Sequence, residues 1–265
     1  MTEIKMLNNA RMLWQHRELL WVWASREVRV RYKQSLLGAG WAILQPLALT
    51  VMFSLVFTFV VRVPTDGVPY PIFSYTAMLP WTFLVSSISL GVPSLVNNMN
   101  LVTKIYFPRE VLPLAVMAAA GVDFLVAGLV FVGMMFWYRV PVHSTVLLLP
   151  LLLVIQVVLT FGIVLIGAAA LVFYRDVRFL VPLFLQLWLY ASPVIYPVSL
   201  IPPRWQNLYF LNPMAGLLEA YRAILLYGRW PDWRSLATAS LIALLCGIVG
   251  YGWFKRLEAR FADLI

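Results

Sequence analysis

Residues 146–174 read VLLLPLLLVIQVVLTFGIVLIGAAALVFY, an apolar run without one charged side chain. About 20 such residues, wound as a helix, cross the roughly 30 Å hydrocarbon core of a bilayer, so this stretch alone predicts a membrane span. The pattern recurs on both sides of it. Residues 36–61 and 71–96 carry no charge, 111–138 carries only Asp123, 179–196 is apolar until prolines accumulate, and 235–254 closes the set. No run alternates polar and apolar residues as a lipid-facing barrel strand would, and a helix is the other way to satisfy every backbone group in lipid. The sequence predicts an all-α membrane protein with six transmembrane helices over 36–265, preceded by a cytoplasmic segment, 1–35.

The composition of the whole chain agrees. Hydrophobic residues make up 62% of the 265 positions and charged residues 12%, about half the roughly 25% of soluble domains. A globule of this length leaves too much of its surface in water to hide that apolar content. Six crossings put both termini on one side. Fourteen of the 20 Lys and Arg fall in 1–35, 97–110, 174–178 and 255–265, against six in 62–70, 139–145 and 197–234. Cytoplasmic segments gather positive charge, which predicts cytoplasmic termini and a multi-pass protein of the cytoplasmic (inner) membrane. That bias accounts for the net charge of +9, and no nucleic-acid partner is expected. The first 36 residues show no apolar stretch with a small-residue cleavage site, so no cleaved signal peptide is expected.

Catalytic signatures are missing. No glycine precedes a lysine, so the phosphate-cradling loop G-x-x-x-x-G-K-[ST] does not occur, and neither H-E-x-x-H nor G-x-S-x-G is present. If ATP drives this protein, a separate subunit must bind it. Cys246 stands alone in an apolar run and reads as a packing residue, while His16 and His143 have no ligand-spaced partner, so no metal site is expected. Asp123, the one acid inside a span, costs several kcal/mol if charged there. It fits either a functional charge or a structural hydrogen bond.

Three segments break the monotony of spans. In 11–35, RMLWQHRELLWVWASREVRVRYKQS, the residues Leu20, Trp23, Ala24 and Val28 share a helical face, with Arg26, Arg29 and Arg31 nearby. This suits either a positive anchor at the headgroups or an interfacial amphipathic helix that receives force from a cytoplasmic partner. In 97–110, NNMNLVTKIYFPRE, Asn100 is placed to cap a short helix running to Tyr106, and Pro108 ends it. The exposed pair Tyr106 and Phe107, beside Thr103, Lys104 and Arg109, suits docking into a protein groove, although a plain turn would also fit.

The third segment, 192–234, reads SPVIYPVSLIPPRWQNLYFLNPMAGLLEAYRAILLYGRWPDWR. Pro193, Pro197, Pro202 and Pro203 exclude one continuous helix. Asn212 followed by Pro213 is a cap with proline at the first helical position. From there to Tyr227 is about 22 Å of helix, too short to cross, and Gly228 supplies a left-handed stop. Leu217, Leu218, Tyr221 and Leu225 share one face, and Glu219 and Arg222 can pair on the other. Two short re-entrant helices between the fifth and sixth spans are predicted, lining a passage, because irregular backbone at membrane depth survives only inside protein or around a cavity. Trp188, Tyr190, Tyr196, Trp205, Tyr209 and Phe210 crowd into this one broken region. A headgroup belt would gather them, and so would a track of flat π faces against sugar rings.

Five motifs then show a resemblance that runs nearly end to end. They are RYKQSLLGAGWAILQPL (31–47), LPWTFLVSS (79–87), LVTKIYFPREVLPLA (101–115), FYRDVRFLVPLFLQLWLYASPVIYP (173–197) and LNPMAGLLEAYRAIL (211–225). In that order and spacing the chain resembles the ABC-2 permeases of ABC transporters, specifically exporters of O-antigen, capsule or teichoic acid. The resemblance implies a homodimer of six-span subunits bound to two separate ABC ATPase subunits, with ATP and Mg held by those partners and no cofactor in this chain. It implies that 11–35 is the interface helix and 100–107 the coupling helix. It further implies an outward gate in 197–228 and a lipid-linked glycan as substrate, on a path through the dimer interface. An ABC-2 exporter of a drug or free lipid is the alternative within the family. A passive channel or proton-coupled carrier is disfavoured by the lack of further buried acids.

Overall fold

The computed structural model describes residues 17–33, 35–60, 63–104 and 107–264. Among the described residues there is no strand. The helices are α1 Arg17–Tyr32, α2 Gly40–Leu55, α3 Tyr70–Gly91, α4 Ser94–Asn97, α5 Met99–Lys104, α6 Val111–Trp137, α7 Leu149–Phe173, α8 Val177–Tyr190, α9 Pro203–Tyr209, α10 Pro213–Leu225 and α11 Trp233–Leu264. A π-helical turn, Val56–Val60, prolongs α2, and a 3₁₀ turn, Ser144–Leu148, leads into α7.

Among the described residues, five helical segments are long and apolar enough to cross a membrane: Gly40–Phe59, Tyr70–Gly91, Val111–Trp137, Ser144–Phe173 and Trp233–Phe261. They match five of the six expected spans. The sixth differs. Residues 179–196 are not one helix; α8 has 14 residues and stops at Tyr190, which is about 21 Å of helix. Buried turns follow at 192–195. In the opposite direction, α11 outruns the apolar stretch 235–254 and extends 32 residues, placing Lys255 and Glu258 beyond the apolar part of the helix.

The side carrying 107–110 is called near, and the side carrying 138–143 far. Helices α3 and α6 are antiparallel, with ring contacts Phe83–Phe124 and Tyr75–Phe131. Helices α7 and α11 are parallel, since Phe161 meets Tyr251 and, further along both, Phe173 meets Phe261. Their backbones touch at Gly162, where an added Cβ would lie 2.3 Å from the Cys246 carbonyl oxygen. Close approach through small residues is how helices associate where lipid is as apolar as leucine. Cys246 is free and partly buried at this seam, as a packing residue would be.

The main core joins α3, α7, α10 and α11 through Met78, Leu159, Leu217, Leu218 and Ala239. A near-side cluster gathers Leu95, Phe107, Val111, Leu165, Phe254 and Phe261, with Leu20 and Trp23 of α1 against it. Helix α1 runs lengthwise beside the first half of α6, from this cluster up to Asp123.

Candidate functional site

The gate residues expected from sequence do come together, on the far side. Asn212 caps α10 as read, its Oδ1 accepting the Met214 backbone N–H at 3.1 Å, with Pro213 in the first turn. The same oxygen accepts Trp188 Nε1–H at 2.9 Å, while Nδ2 donates to the Ala191 carbonyl and to Ser192 Oγ. One asparagine thus ties the end of α8 to the start of α10. Tyr196 donates to the Tyr190 carbonyl at 2.8 Å and lies 3.0 Å from the Tyr209 hydroxyl. Tyr209 and Phe210 rings meet edge to face.

Pro193 is buried in the turn after α8, and Pro197 opens the short 3₁₀ turn Val198–Leu200. Between α8 and α9 lies an apolar cavity of about 670 Å³, walled by Phe184, Trp188, Trp205, Tyr209, Asn212 and Pro213. Trp205 is half exposed beside it.

Glu219 and Arg222 pair as their spacing predicts. They lie 3.8 Å apart, with the Arg222 side chain fully buried and that of Glu219 38% exposed. Arg222 donates to the carbonyls of Val194 and Tyr196 and stacks 3.7 Å from the Phe73 ring centroid. Tyr70 donates to the neighbouring Ile195 carbonyl at 2.6 Å. Turn 194–196 has broken ladder hydrogen bonds, and these side chains satisfy the freed carbonyls, as burial demands. Helix α10 is therefore buried nearly all round, apart from half-exposed positions such as Glu219.

Helix α10 stays at the far side. Gly216 abuts Ser235 at the start of α11, and Thr145 donates to the Ile224 carbonyl. Gly228 has φ +60 and leaves no room for a Cβ, with the His143 ring 2.3 Å from where one would stand. That explains both the expected helix stop and the role of His143, which is packing.

On the near side the coupling residues fall out differently. Asn100 is exposed and sits inside α5, which starts at Met99, so it is not the cap. Phe107 is buried in the near-side cluster and is not an exposed docking aromatic. Tyr106 lies outside the described residues. Thr103 and Lys104 lie on α5, their side chains outside the described set. Arg26 stacks on Trp23 and reaches Asn98 Oδ1 at 3.5 Å, which ties α1 to the α4–α5 knuckle. Arg29 donates to the Ser25 carbonyl.

Asp123 has two partners, Arg31 and Tyr32 at the end of α1. It lies level with Phe83 and Ser86, toward the near-side end of α3, in a cavity of about 240 Å³ of mixed lining that also holds Gln45 and Thr82. Burial, helped by Asp123, pushes the Tyr32 phenol up to about 12, so it remains a hydrogen-bond donor. The Asp is thus a latch between α1 and α6.

Sequence reading missed two further groups. Lys255 reaches Glu110 at 2.7 Å and Glu258 at 2.9 Å, and the Arg109 backbone N–H donates to Glu258. Burial pushes the Glu110 carboxyl up, and Lys255 draws it partly back. Gln156, the lone amide in the 146–174 run, donates to the Pro80 carbonyl and accepts from Tyr221. An uncompensated amide in that run was the visible signal.

Comparison with known proteins now defines the class. Residues 18–226 match the family model described as ABC-2 type transporter, and the chain belongs to that family. Among its relatives is an O-antigen export system permease protein RfbA of Myxococcus xanthus, 31% identical and covering 98% of this chain and 100% of that protein. RfbA of Klebsiella pneumoniae is 30% identical over 94% of this chain and 95% of its own length. Polysialic acid transport protein KpsM of Escherichia coli is 24% identical over 88% and 91% respectively.

Proposed function

We propose that this chain is the membrane subunit of an ATP-driven exporter that moves a lipid-linked, O-antigen-like polysaccharide across the cytoplasmic membrane. It works as a homodimer with two separate ABC ATPase subunits, which bind ATP and Mg. The observation that carries the reading is the far-side segment 191–228, folded back on itself around an aromatic cavity and held by Asn212 and Arg222. Flat rings with few fixed polar contacts suit a polymer that must slide, whereas strong hydrogen-bond traps would hold it. The substrate class follows from the relatives named as O-antigen and polysialic acid export proteins.

The chain crosses six times. The parallel course of α7 and α11 supports that count, with α8 and the turns after it making the return crossing. Helices α9 and α10 are then re-entrant from the far side, which is the outer face. Both termini are cytoplasmic, in keeping with the lysine and arginine bias. The cavity walled by α8 and α9 includes the exposed side chains Phe184, Trp205 and Leu208, and a second copy completes the path. On the cytoplasmic side, α1 acts as the amphipathic interface helix and the α4–α5 knuckle docks on the ATPase through Asn100, Thr103, Lys104 and Tyr106. Phe107 anchors that knuckle from within.

Deleting the gene tests the reading. Lipid-linked polymer is expected to accumulate inside the cell while surface glycan disappears. Normal surface glycan, with a drug or a free lipid retained instead, would assign the protein to the other branch of the family.

A further inference from the structure

Helices α6 and α7 are consecutive and joined by a short connection, 138–148, yet along much of their length they splay apart. The wedge between them is an apolar groove of about 450 Å³ that opens on the outer surface of the bundle. Its floor is Thr76 and Pro80 of α3 with Tyr221 and Leu225 of α10. The two hydroxyls on that floor are already engaged, Thr76 with the Ile72 carbonyl and Tyr221 with Gln156. Water entering the groove would find no free partner, and apolar cavities of this kind stay dry. Both walls belong to membrane-spanning helices, so hydrocarbon is the medium at the opening.

We infer that this groove holds one acyl chain of a resident phospholipid from the far-side leaflet. Along α6 the groove runs from Phe124 to Phe136, about 18 Å of helix, slightly longer than the ~15 Å that is half a hydrocarbon core. At its far-side mouth α6 ends in Trp137, 82% exposed, and the exposed Arg139, whose φ of 54 ends the helix. An indole at the headgroup level and a cation beside it complement a lipid phosphate. The groove shares no lining residue with the aromatic cavity of α8 and α9, so its occupant is not cargo on the proposed path. The chain instead lies under Tyr221 and Leu225 and supports α10, the helix that carries the gate.

Gly128 supplies the test. A Cβ there meets nothing within 4 Å, so Gly128→Leu fills the groove without moving backbone and improves helix propensity. The full chain is reconstituted in nanodiscs of phosphatidylethanolamine and phosphatidylglycerol containing a phospholipid with a diazirine in mid-chain. Photolabelling is mapped on the groove walls and, for comparison, on the exposed positions Met52 and Leu55 of α2. The expected result is several-fold more label on the groove than on α2, falling to the α2 level in Gly128→Leu. Gly133→Leu, on the same helix with equally open space but outside the groove, should leave the label unchanged. Val132→Trp, at a half-exposed lining position, is the second occluding variant should Gly128→Leu not fold. Equal label on both faces would overturn the inference. So would label that persists in the occluding variants, or labelling only by a photoactivatable isoprenoid phosphate.

Discussion

Arg222 concentrates the physics of the proposed gate in one side chain. Its guanidinium serves the Val194 and Tyr196 carbonyls, the Phe73 face and Glu219 from a fully buried position. Replacing it by Met strands two buried carbonyls, and losing one partner of a buried charged pair costs about 3–5 kcal/mol. Thermal unfolding in nanodiscs should register that loss, with Lys only partly restoring stability because it lacks the planar fork. Glu219→Gln leaves the buried Arg222 guanidinium without its countercharge and should also lower stability, but by less than Arg222→Met, because the Val194 and Tyr196 carbonyls keep their donor. The near-side pair behaves otherwise. Removing Lys255 as Met leaves Glu110, 1% exposed, without its cation. A buried carboxyl whose folded pKa is raised is destabilising once pH climbs above its unfolded value of about 4.3. Lys255→Met should therefore unfold more easily at neutral pH and recover as pH falls through the folded value of Glu110. A deficit independent of pH would show that the network acts through packing alone.

At the scale of elements, Asp123 decides whether α1 moves with the bundle. Two hydrogen bonds to a charged group, each with a net worth of up to about 1.5–3 kcal/mol, hold the end of α1 to α6. Asp123→Leu should free that end, raising trypsin cleavage after Arg29 and Arg31 and lowering export while α7 and α11 stay paired; unchanged cleavage would remove the latch from the account. The α7–α11 seam is stiffer. Gly162→Ala should cost about 1–3 kcal/mol through overpacking, because its Cβ meets backbone at 2.3 Å, whereas Gly121→Ala has open space and should be neutral or slightly stabilising. Elements of this kind were unevenly legible in the sequence. Long uncharged runs announced five spans, and Asn212-Pro213 with Gly228 announced the bounds of α10, because caps and stops are local chemistry. The partners of Asp123 lie about 90 residues away in sequence, and the burial of Phe107 depends on the distant α11. Such pairings are set by tertiary packing, which no local pattern encodes.

For the whole molecule, the parity of crossings is the statement with the widest consequences. Helices α7 and α11 point the same way, and on the proposed six-crossing topology the 14-residue α8, short as it is, carries the chain back across with help from the turns beyond it. A helix of about 21 Å can serve in a ~30 Å core only if protein, not lipid, covers the irregular remainder. Buried Ser192, Pro193, Val194 and Ile195 have that cover from α3 and α10. The arrangement predicts opposite accessibility for the two ends of α11 and the same accessibility for α1 and the α11 tail. With Cys246 replaced by Ser, single cysteines at Asn207, Glu27 and Arg256 should divide cleanly in intact cells. A membrane-impermeant maleimide should modify Asn207→Cys from outside, and Glu27→Cys and Arg256→Cys only after permeabilisation. Labelling of Asn207→Cys and Arg256→Cys from the same side would mean that α8 does not cross. The aromatic cavity would then face the cytoplasm, where it could receive a substrate but could not form the exit.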